Sequence, residues 1–170
     1  MRLFGWRVLL GLGVVTTALV FGAGNASAAF HGIAMTKGCT SPVKIGVAYT
    51  CSVQMLNVVD TGHDTLRVTG LNDTVNSAGG PVTSGNILPT TGLVFSGEVT
   101  CTGGSGAGTS ASPYVGATSC LLPFNTSITT KQFSHYTVQA GDFNLPNNRL
   151  TDAAALSWNN TCTFDPDCRR

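Results

Sequence analysis

The sequence predicts an all-β protein, an Ig-like antiparallel β-sandwich of about seven strands that follows a helical signal peptide. Three observations support this fold class. Only 10% of the residues are charged, and threonine, valine, glycine and asparagine are abundant. Short runs alternate apolar and polar residues, with turn residues about every ten positions. After the N-terminal segment, no long stretch keeps the period of an amphipathic helix.

Residues 1–28 have the pattern of a secretory signal peptide. Arg2 and Arg7 form a basic start, Val8–Phe21 is apolar apart from two threonines, and Ala26-Ser27-Ala28 is a cleavage site. The apolar run of about fourteen residues is shorter than the roughly twenty that a membrane helix needs. We therefore expect cleavage, no stable membrane span afterwards, and a secreted or cell-surface protein.

The charge of the mature chain argues against a nucleic-acid partner. Removing Arg2 and Arg7 from nine basic residues leaves seven, against eight acidic residues, so the net charge is near −1. The sequence has no basic stripe of the kind that binds a phosphate backbone.

The predicted sandwich domain covers residues 29–158, and residues 159–170 form a tail. Within Lys44–Leu56, the alternation places five residues on one face, which we expect to be the core face: Val47, Tyr49, Cys51, Val53 and Met55. The seven predicted strands are Phe30–Met35, Lys44–Leu56, Thr65–Leu71, Leu93–Cys101, Cys120–Phe124, Gln132–Gln139 and Arg149–Trp158.

Three turns and one long loop separate these strands. The turns are predicted at Asp60–Asp64, Asn76–Gly80 and Gly141–Asp142. Thr102–Pro113 contains four glycines among serines and alanines, which is the composition of a mobile linker.

Two segments resemble a family of repeats of unknown function from secreted bacterial proteins. Asp60–Leu66 with Leu71–Thr74 is similar to the opening of the repeat, which runs Asn-Thr-Gly, Leu, alternating valines and Asp. Tyr136–Asp142 with Leu150–Ala154 is similar to its closing half.

The resemblance extends over about 44–158 and has departures. Asp60 stands where the family has Asn, and Thr69-Gly70 interrupts the valine alternation. The cysteines and the glycine loop are not general features of the family. The resemblance implies an Ig-like sandwich on the outside of a bacterium, and it assigns no catalytic residue.

Six cysteines in an exported chain predict three disulfides, for which fifteen pairings are possible. We favour the local pairings Cys101–Cys120, Cys162–Cys168 and Cys39–Cys51. The first would close the glycine loop, a constraint worth roughly 3 kcal/mol. The alternative joins Cys51 to a cysteine of the facing sheet, as in antibody domains. Zinc is disfavoured because the sequence has no C-x-x-C pair.

Two motifs suggest a sortase signal and a metal site, and each also has a purely structural interpretation. Leu88–Gly92 spells a sortase sorting signal, but only a short apolar stretch follows it, so we interpret it as a turn into a strand. Asp60, His63, Asp64 and Asp73 could ligate a metal, but their spacing matches no known calcium loop, and a solvated turn is preferred.

The sequence predicts no catalytic residue and no cofactor. His31 lies at the mature N-terminus, and His135 has Ser134 beside it, whose side chain should point to the opposite face of the sheet. Glu98 is the only glutamate and falls on the polar face of its strand, so we expect no pair of carboxylates of the glycosidase type.

These observations favour a non-catalytic extracellular or cell-surface structural or adhesion module, with a cell-surface protein or glycan as its partner. One alternative is a subunit that assembles into a surface layer or fibre through exposed strand edges. A small secreted hydrolase is the second alternative.

Overall fold

The computed structural model describes residues 32–59, 64–146 and 149–162, which form ten strands and one short 3-10 helix. The all-β sandwich is confirmed, but the expected count of about seven strands is wrong for this part of the chain. The 3-10 helix spans Ala140–Asn144. The strands are β1 (Ile33–Cys39), β2 (Ala48–Asn57), β3 (Leu66–Ser77), β4 (Gly80–Asn86), β5 (Leu93–Ser96), β6 (Thr100–Thr102), β7 (Ser119–Leu122), β8 (Ser127–Thr130), β9 (Phe133–Thr137) and β10 (Thr151–Asn160).

The strands form two antiparallel five-stranded sheets. The first has the order β1-β2-β8-β5, and β9 pairs with the N-terminal half of β2. The second has the order β10-β3-β7-β6, and β4 pairs with the C-terminal half of β3. The long strands β2 and β3 are therefore central. Among the described residues, β1 and β5 lie at the two ends of the first strand order, and β10 and β6 lie at the two ends of the second.

The core lies between the two sheets. As the alternation predicts, Cys51, Val53 and Met55 of β2 are buried. Val53 and Met55 pack in one core cluster with Val68 and Leu71 of β3. The prediction is wrong for Val47, which precedes β2 and is 47% exposed. Each fully buried aliphatic side chain contributes about 1.5–3 kcal/mol relative to an exposed one. The apolar interior is therefore the main source of stability and fixes the register of both central strands.

Strand β3 is longer than the sequence predicts. The predicted strand Thr65–Leu71 ends before Asn72-Asp73, yet β3 continues to Ser77 and turns through Ala78-Gly79 into β4. Asp73 is tolerated because its side chain points inward to a charged partner, and its backbone N–H donates to Ser84 Oγ at 2.9 Å. The sequence of β4 is rich in poor strand formers, so propensity alone did not indicate it.

The predicted strand Leu93–Cys101 is two strands, β5 and β6, that belong to different sheets. Gly97 separates them with a φ of +87°, and a Cβ there would lie 2.7 Å from Thr126 Cγ2. The chain can therefore cross between the sheets only with glycine at this position. The sequence pattern also did not predict strand β8, whose residues Ser127–Thr130 are mostly polar.

The glycine loop is packed on the sandwich, whereas its composition predicts a mobile linker. Ser105 and Val115 exchange backbone hydrogen bonds, and the Phe95 N–H donates to the Gly108 carbonyl at 2.7 Å. A Cβ at Gly108 would lie 2.0 Å from the Phe95 ring. Glycine here permits close approach of the loop to the core and does not mark a flexible segment.

The predicted signal peptide, Asp60, His63 and residues 163–170 of the tail lie outside the described residues. Among the residues that are described, no helix has the length and apolar character needed to cross a membrane.

Candidate functional site

Four inward-facing side chains from four strands form a charged cluster between the sheets. We call it the Lys37 cluster; it consists of Lys37 of β1, Asp73 of β3, His135 of β9 and Asp152 of β10. The period of two places each residue on the core side of its strand, next to apolar neighbours. The topology therefore brings together residues up to 115 positions apart in sequence, since Lys37 and Asp152 lie on the first and last strands.

The Lys37 ammonium lies between the two carboxyl groups. Its Nζ is in direct contact with Oδ1 of Asp73 and Oδ1 of Asp152. The exposed fractions of the three side chains are 13% for Lys37, 1% for Asp73 and 6% for Asp152. Water screens these charges poorly, so each depends on the others for stabilisation.

The cluster contains more acidic groups than cations, and this imbalance affects its protonation. Burial raises the pKa of the Asp73 carboxyl above its usual value; the Lys37 ammonium opposes the rise and the neighbouring Asp152 carboxyl adds to it. A proton held on Asp73 would leave one ammonium and one carboxylate. The buried cluster is then close to neutral, which avoids the cost of an unbalanced internal charge.

His135 is the fourth member and contacts the far side of Asp73. Its Nε2 lies 3.0 Å from the Val82 carbonyl oxygen, which can only accept, so Nε2 carries a hydrogen. Its Nδ1 lies 3.5 Å from Asp73 Oδ2. Asp73 Oδ2 has no hydrogen-bond partner among the residues that the structure describes.

A disulfide closes the other side of the cluster. Cys39 of β1 is bonded to Cys51 of β2, and Asp152 Oδ2 lies 3.3 Å and 3.1 Å from the two sulfurs. These three residues are close enough together to suggest a metal site. Disulfide sulfurs are not thiolates, so with the bond intact they do not provide a ligand set for zinc.

The structure also pairs Cys101 with Cys120, joining β6 to β7 at the base of the glycine loop. Both bonds are local pairings that the sequence favours, and the alternative bridge from Cys51 to the facing sheet does not form. The predicted Cys162–Cys168 bond stays a prediction, because Cys168 lies outside the described residues.

A second buried carboxylate, Asp142, lies near one end of the sandwich. Its oxygens accept hydrogen bonds from the backbone N–H of Ala78 at 2.9 Å, the backbone N–H of Gln139 at 2.8 Å and the Tyr136 hydroxyl at 2.7 Å. Burial alone would raise the pKa of Asp142, but these three donors outweigh it and lower the pKa below its usual value.

A groove of about 330 Å³ adjoins Asp142. The Phe143 side chain is 49% exposed at this groove, and Arg149 is exposed beside it. Cys39 forms part of the lining, and its sulfur lies 3.3 Å from Asp152 Oδ2, so the groove lies next to the Lys37 cluster. Its main lining residues are Cys39, Pro42, Tyr49, Phe143, Arg149 and Leu150.

The residues considered from the sequence are dispersed over the described part of the molecule. Ser134 is exposed and His135 points inward, as their adjacent positions predict. Glu98 is exposed. Asp64 is fully buried and accepts a hydrogen bond from the Asn160 amide at 3.1 Å, which differs from the predicted solvated turn.

The motif Leu88–Gly92 forms a turn that leads into β5, as predicted. The N–H groups of Thr90 and Thr91 donate to the Ile87 carbonyl at 3.1 Å and 3.0 Å, and Leu88 is fully buried. A sortase would therefore have to unfold this part of the core to reach the motif.

Sequence reasoning missed both Lys37 and Asp152 as site residues. A weak signal was available for Lys37, because it continues the alternation of Ile33 and Met35 two residues beyond the predicted strand Phe30–Met35. Nothing local indicated Asp152, whose role depends on Lys37 of the facing sheet.

Comparison with protein-family models, curated proteins and solved structures finds no match to this chain. The resemblance to the bacterial repeat family therefore stays a prediction.

Proposed function

We propose that the protein is a non-catalytic extracellular module that presents a binding surface on a braced sandwich. The observation that carries this proposal is the Lys37 cluster, which joins the first strand β1 to the last strand β10 and to the central strand β3. Two disulfides add further links and are typical of proteins from oxidising compartments. A domain whose terminal strands are tied together suits a role in which its ends are pulled.

The groove beside Asp142 is the proposed binding surface, and its partner is a cell-surface glycan. Exposed aromatic rings such as Phe143 offer the flat apolar face on which sugar rings stack, and the Arg149 guanidinium provides several hydrogen-bond donors. The rigid 3-10 helix and the anchored Asp142 hold Phe143 in place. This preorganisation lowers the entropy lost on binding.

Binding of the full-length protein to immobilised cell-surface glycans tests the proposal. We expect Phe143→Ala and Arg149→Ala each to weaken binding at least tenfold. Val115→Ala is the matched control, since Val115 is 48% exposed and does not line the groove. Binding that is absent, or that all three variants retain equally, would contradict the proposal.

Assembly through strand edges is a second candidate, favoured by one observation. Strand β10 has ten residues, pairs only with β3 within the described chain, and carries Trp158, which is 38% exposed. A long uncovered edge of this kind can pair with another chain. Sedimentation across a wide concentration range decides the matter, because an assembling subunit forms larger particles as concentration rises and a simple module stays monomeric.

A further inference from the structure

We propose that Lys37 and Asp152 become joined by an intramolecular amide bond, with Asp73 acting as the acid and base of the reaction. The cross-link would form between side chains of the first and last strands, after folding and without another protein. It is a covalent modification of this chain, and it does not depend on the binding role proposed above.

Proximity is the first reason. A lysine amine is a nucleophile once it loses its proton, and Lys37 Nζ already contacts a carboxyl oxygen of each aspartate. The folded sandwich holds these groups together without the entropy loss of a bimolecular encounter. Effective concentrations in such fixed geometries reach roughly 10⁵–10⁸ M, far above those of reactants free in water.

Burial is the second reason. In water, an amine and a carboxylic acid form an unreactive ammonium carboxylate salt. Here the side chains of Asp73 and Asp152 are almost completely shielded, and that environment favours neutral over charged forms. The raised pKa of Asp73 agrees with this effect.

The surroundings of the two carboxyl groups distinguish their roles. Asp73 Oδ2 lies 3.5 Å from His135 Nδ1, so a polar ring nitrogen is beside it. Asp152 Oδ2 faces the two sulfurs of the Cys39–Cys51 disulfide, which neither give nor take a proton at neutral pH. Asp73 is therefore suited to proton transfer, and Asp152 is suited to accept the amine.

The reaction balances within the cluster. The Lys37 ammonium passes a proton to the Asp152 carboxylate. This leaves a neutral amine on Lys37 and a carboxylic acid on both Asp73 and Asp152. The amine nitrogen attacks the Asp152 carboxyl carbon, and the proton on Asp73 stabilises the oxygen that becomes negative. The C–O bond to one Asp152 oxygen then breaks, and that oxygen leaves as water with two protons. The products are one amide bond, one water molecule and an Asp73 carboxylic acid, with no oxidation or reduction.

Intact mass spectrometry of the full expressed chain tests the proposal. The protein is denatured and its disulfides are reduced, and fragment ions give its N-terminus. We expect a mass about 18 Da below the sequence mass, equal to one water. An unmodified mass in the wild-type protein would overturn the proposal, whether or not any variant folds.

Three variants identify the source of the missing water. Lys37→Arg keeps a cation but cannot form the amide, so its mass should equal the sequence mass. The matched control Lys44→Arg, at an exposed lysine, should keep the deficit of about 18 Da. Asp73→Ala should show the full mass or a large slowing of the mass loss. A deficit that persists in Lys37→Arg would come from dehydration elsewhere and would contradict the proposal.

Discussion

Asp73 and Asp142 are both almost fully buried carboxyl groups, yet the protein treats them in opposite ways. Asp142 accepts hydrogen bonds from three donors, two of them backbone N–H groups, and its pKa is lowered. Asp73 contacts one ammonium that it shares with a second carboxyl group, its Oδ2 lacks a hydrogen-bond partner within the described residues, and its pKa is raised.

The difference shows that the number of donors, and not burial alone, decides the state of an internal acid. Asp142 is a stable anion that fixes the turn at Ala78 to the 3-10 helix. Asp73 is an acid of raised pKa in contact with the Lys37 amine, which suits it to proton transfer. We therefore assign the first a structural role and the second a reactive one.

Removing the cation of the Lys37 cluster should have the largest effect on stability. Lys37→Met keeps the length of the side chain but leaves Asp73 and Asp152 buried without the ammonium or the amide bond that Lys37 provides. We expect a loss of about 3–5 kcal/mol in the free energy of unfolding, measured by urea denaturation. Lys131→Met, at an exposed lysine, should change it by less than about 0.5 kcal/mol. If Lys37→Met lowered the free energy of unfolding as little as Lys131→Met, the cluster would contribute nothing to stability.

Removing the acceptor at Asp142 should have the next largest effect. Asp142→Ala leaves three donors without their partner, and we expect a loss of about 3 kcal/mol in unfolding free energy. The control is Glu98→Ala, which removes an exposed carboxylate of the same charge. If both variants lost the same small amount, the hydrogen-bond network around Asp142 would not be stabilising.

The two acids should respond to pH with opposite signs. Because the folded pKa of Asp142 is depressed, its contribution to stability is present above the ordinary carboxyl pKa of 3.8 and is lost as pH falls through the folded value. Because the folded pKa of Asp73 is raised, its contribution is fully present below 3.8 and is lost as pH rises through the folded value.

Asparagine variants make this contrast measurable. The wild type should lose its stability advantage over Asp142→Asn as the pH falls below 3.8. By contrast, the free energy of unfolding of Asp73→Asn should increase relative to that of the wild type as the pH rises from acid to neutral. Urea unfolding at a series of pH values gives both curves. Parallel curves for the two variants would show that the acids do not differ in their protonation.

A single donor at Asp142 should contribute the least. Tyr136→Phe removes only the hydroxyl that donates at 2.7 Å and leaves both backbone donors in place. We expect a loss of about 1 kcal/mol in unfolding free energy, together with a rise in the pKa of Asp142 measured by NMR titration. A pKa of Asp142 that did not rise would show that the hydroxyl does not help to hold the anion.

Much of the fold follows from local sequence patterns, but the Lys37 cluster does not. The alternation in β2 predicts the buried face because hydrophobic burial repeats with the pleat of the strand. The break at Gly97 and the strand β4 were missed, because both depend on contacts with segments distant in sequence. The glycine loop was misread as a linker, since composition alone does not distinguish flexible glycines from closely packed ones.

The site was hidden for the same reason. A lysine and an aspartate in β-strands are each unremarkable in sequence, and Asp73 was predicted to end a strand. Their meeting depends on the pairing of β10 with β3, which aligns Asp152 with Val75, and on the packing of β1 across the sandwich. No local pattern in one sequence reveals that packing.

The most direct test of the account is peptide mapping of the reduced and alkylated protein after trypsin digestion. If Lys37 is bonded to Asp152, trypsin cannot cut after Lys37, and the peptide that ends at Lys44 should be linked to the peptide Leu150–Arg169. Fragment ions should place the link on Lys37 and Asp152. Recovery of a free Leu150–Arg169 peptide, with complete cleavage after Lys37, would contradict the account.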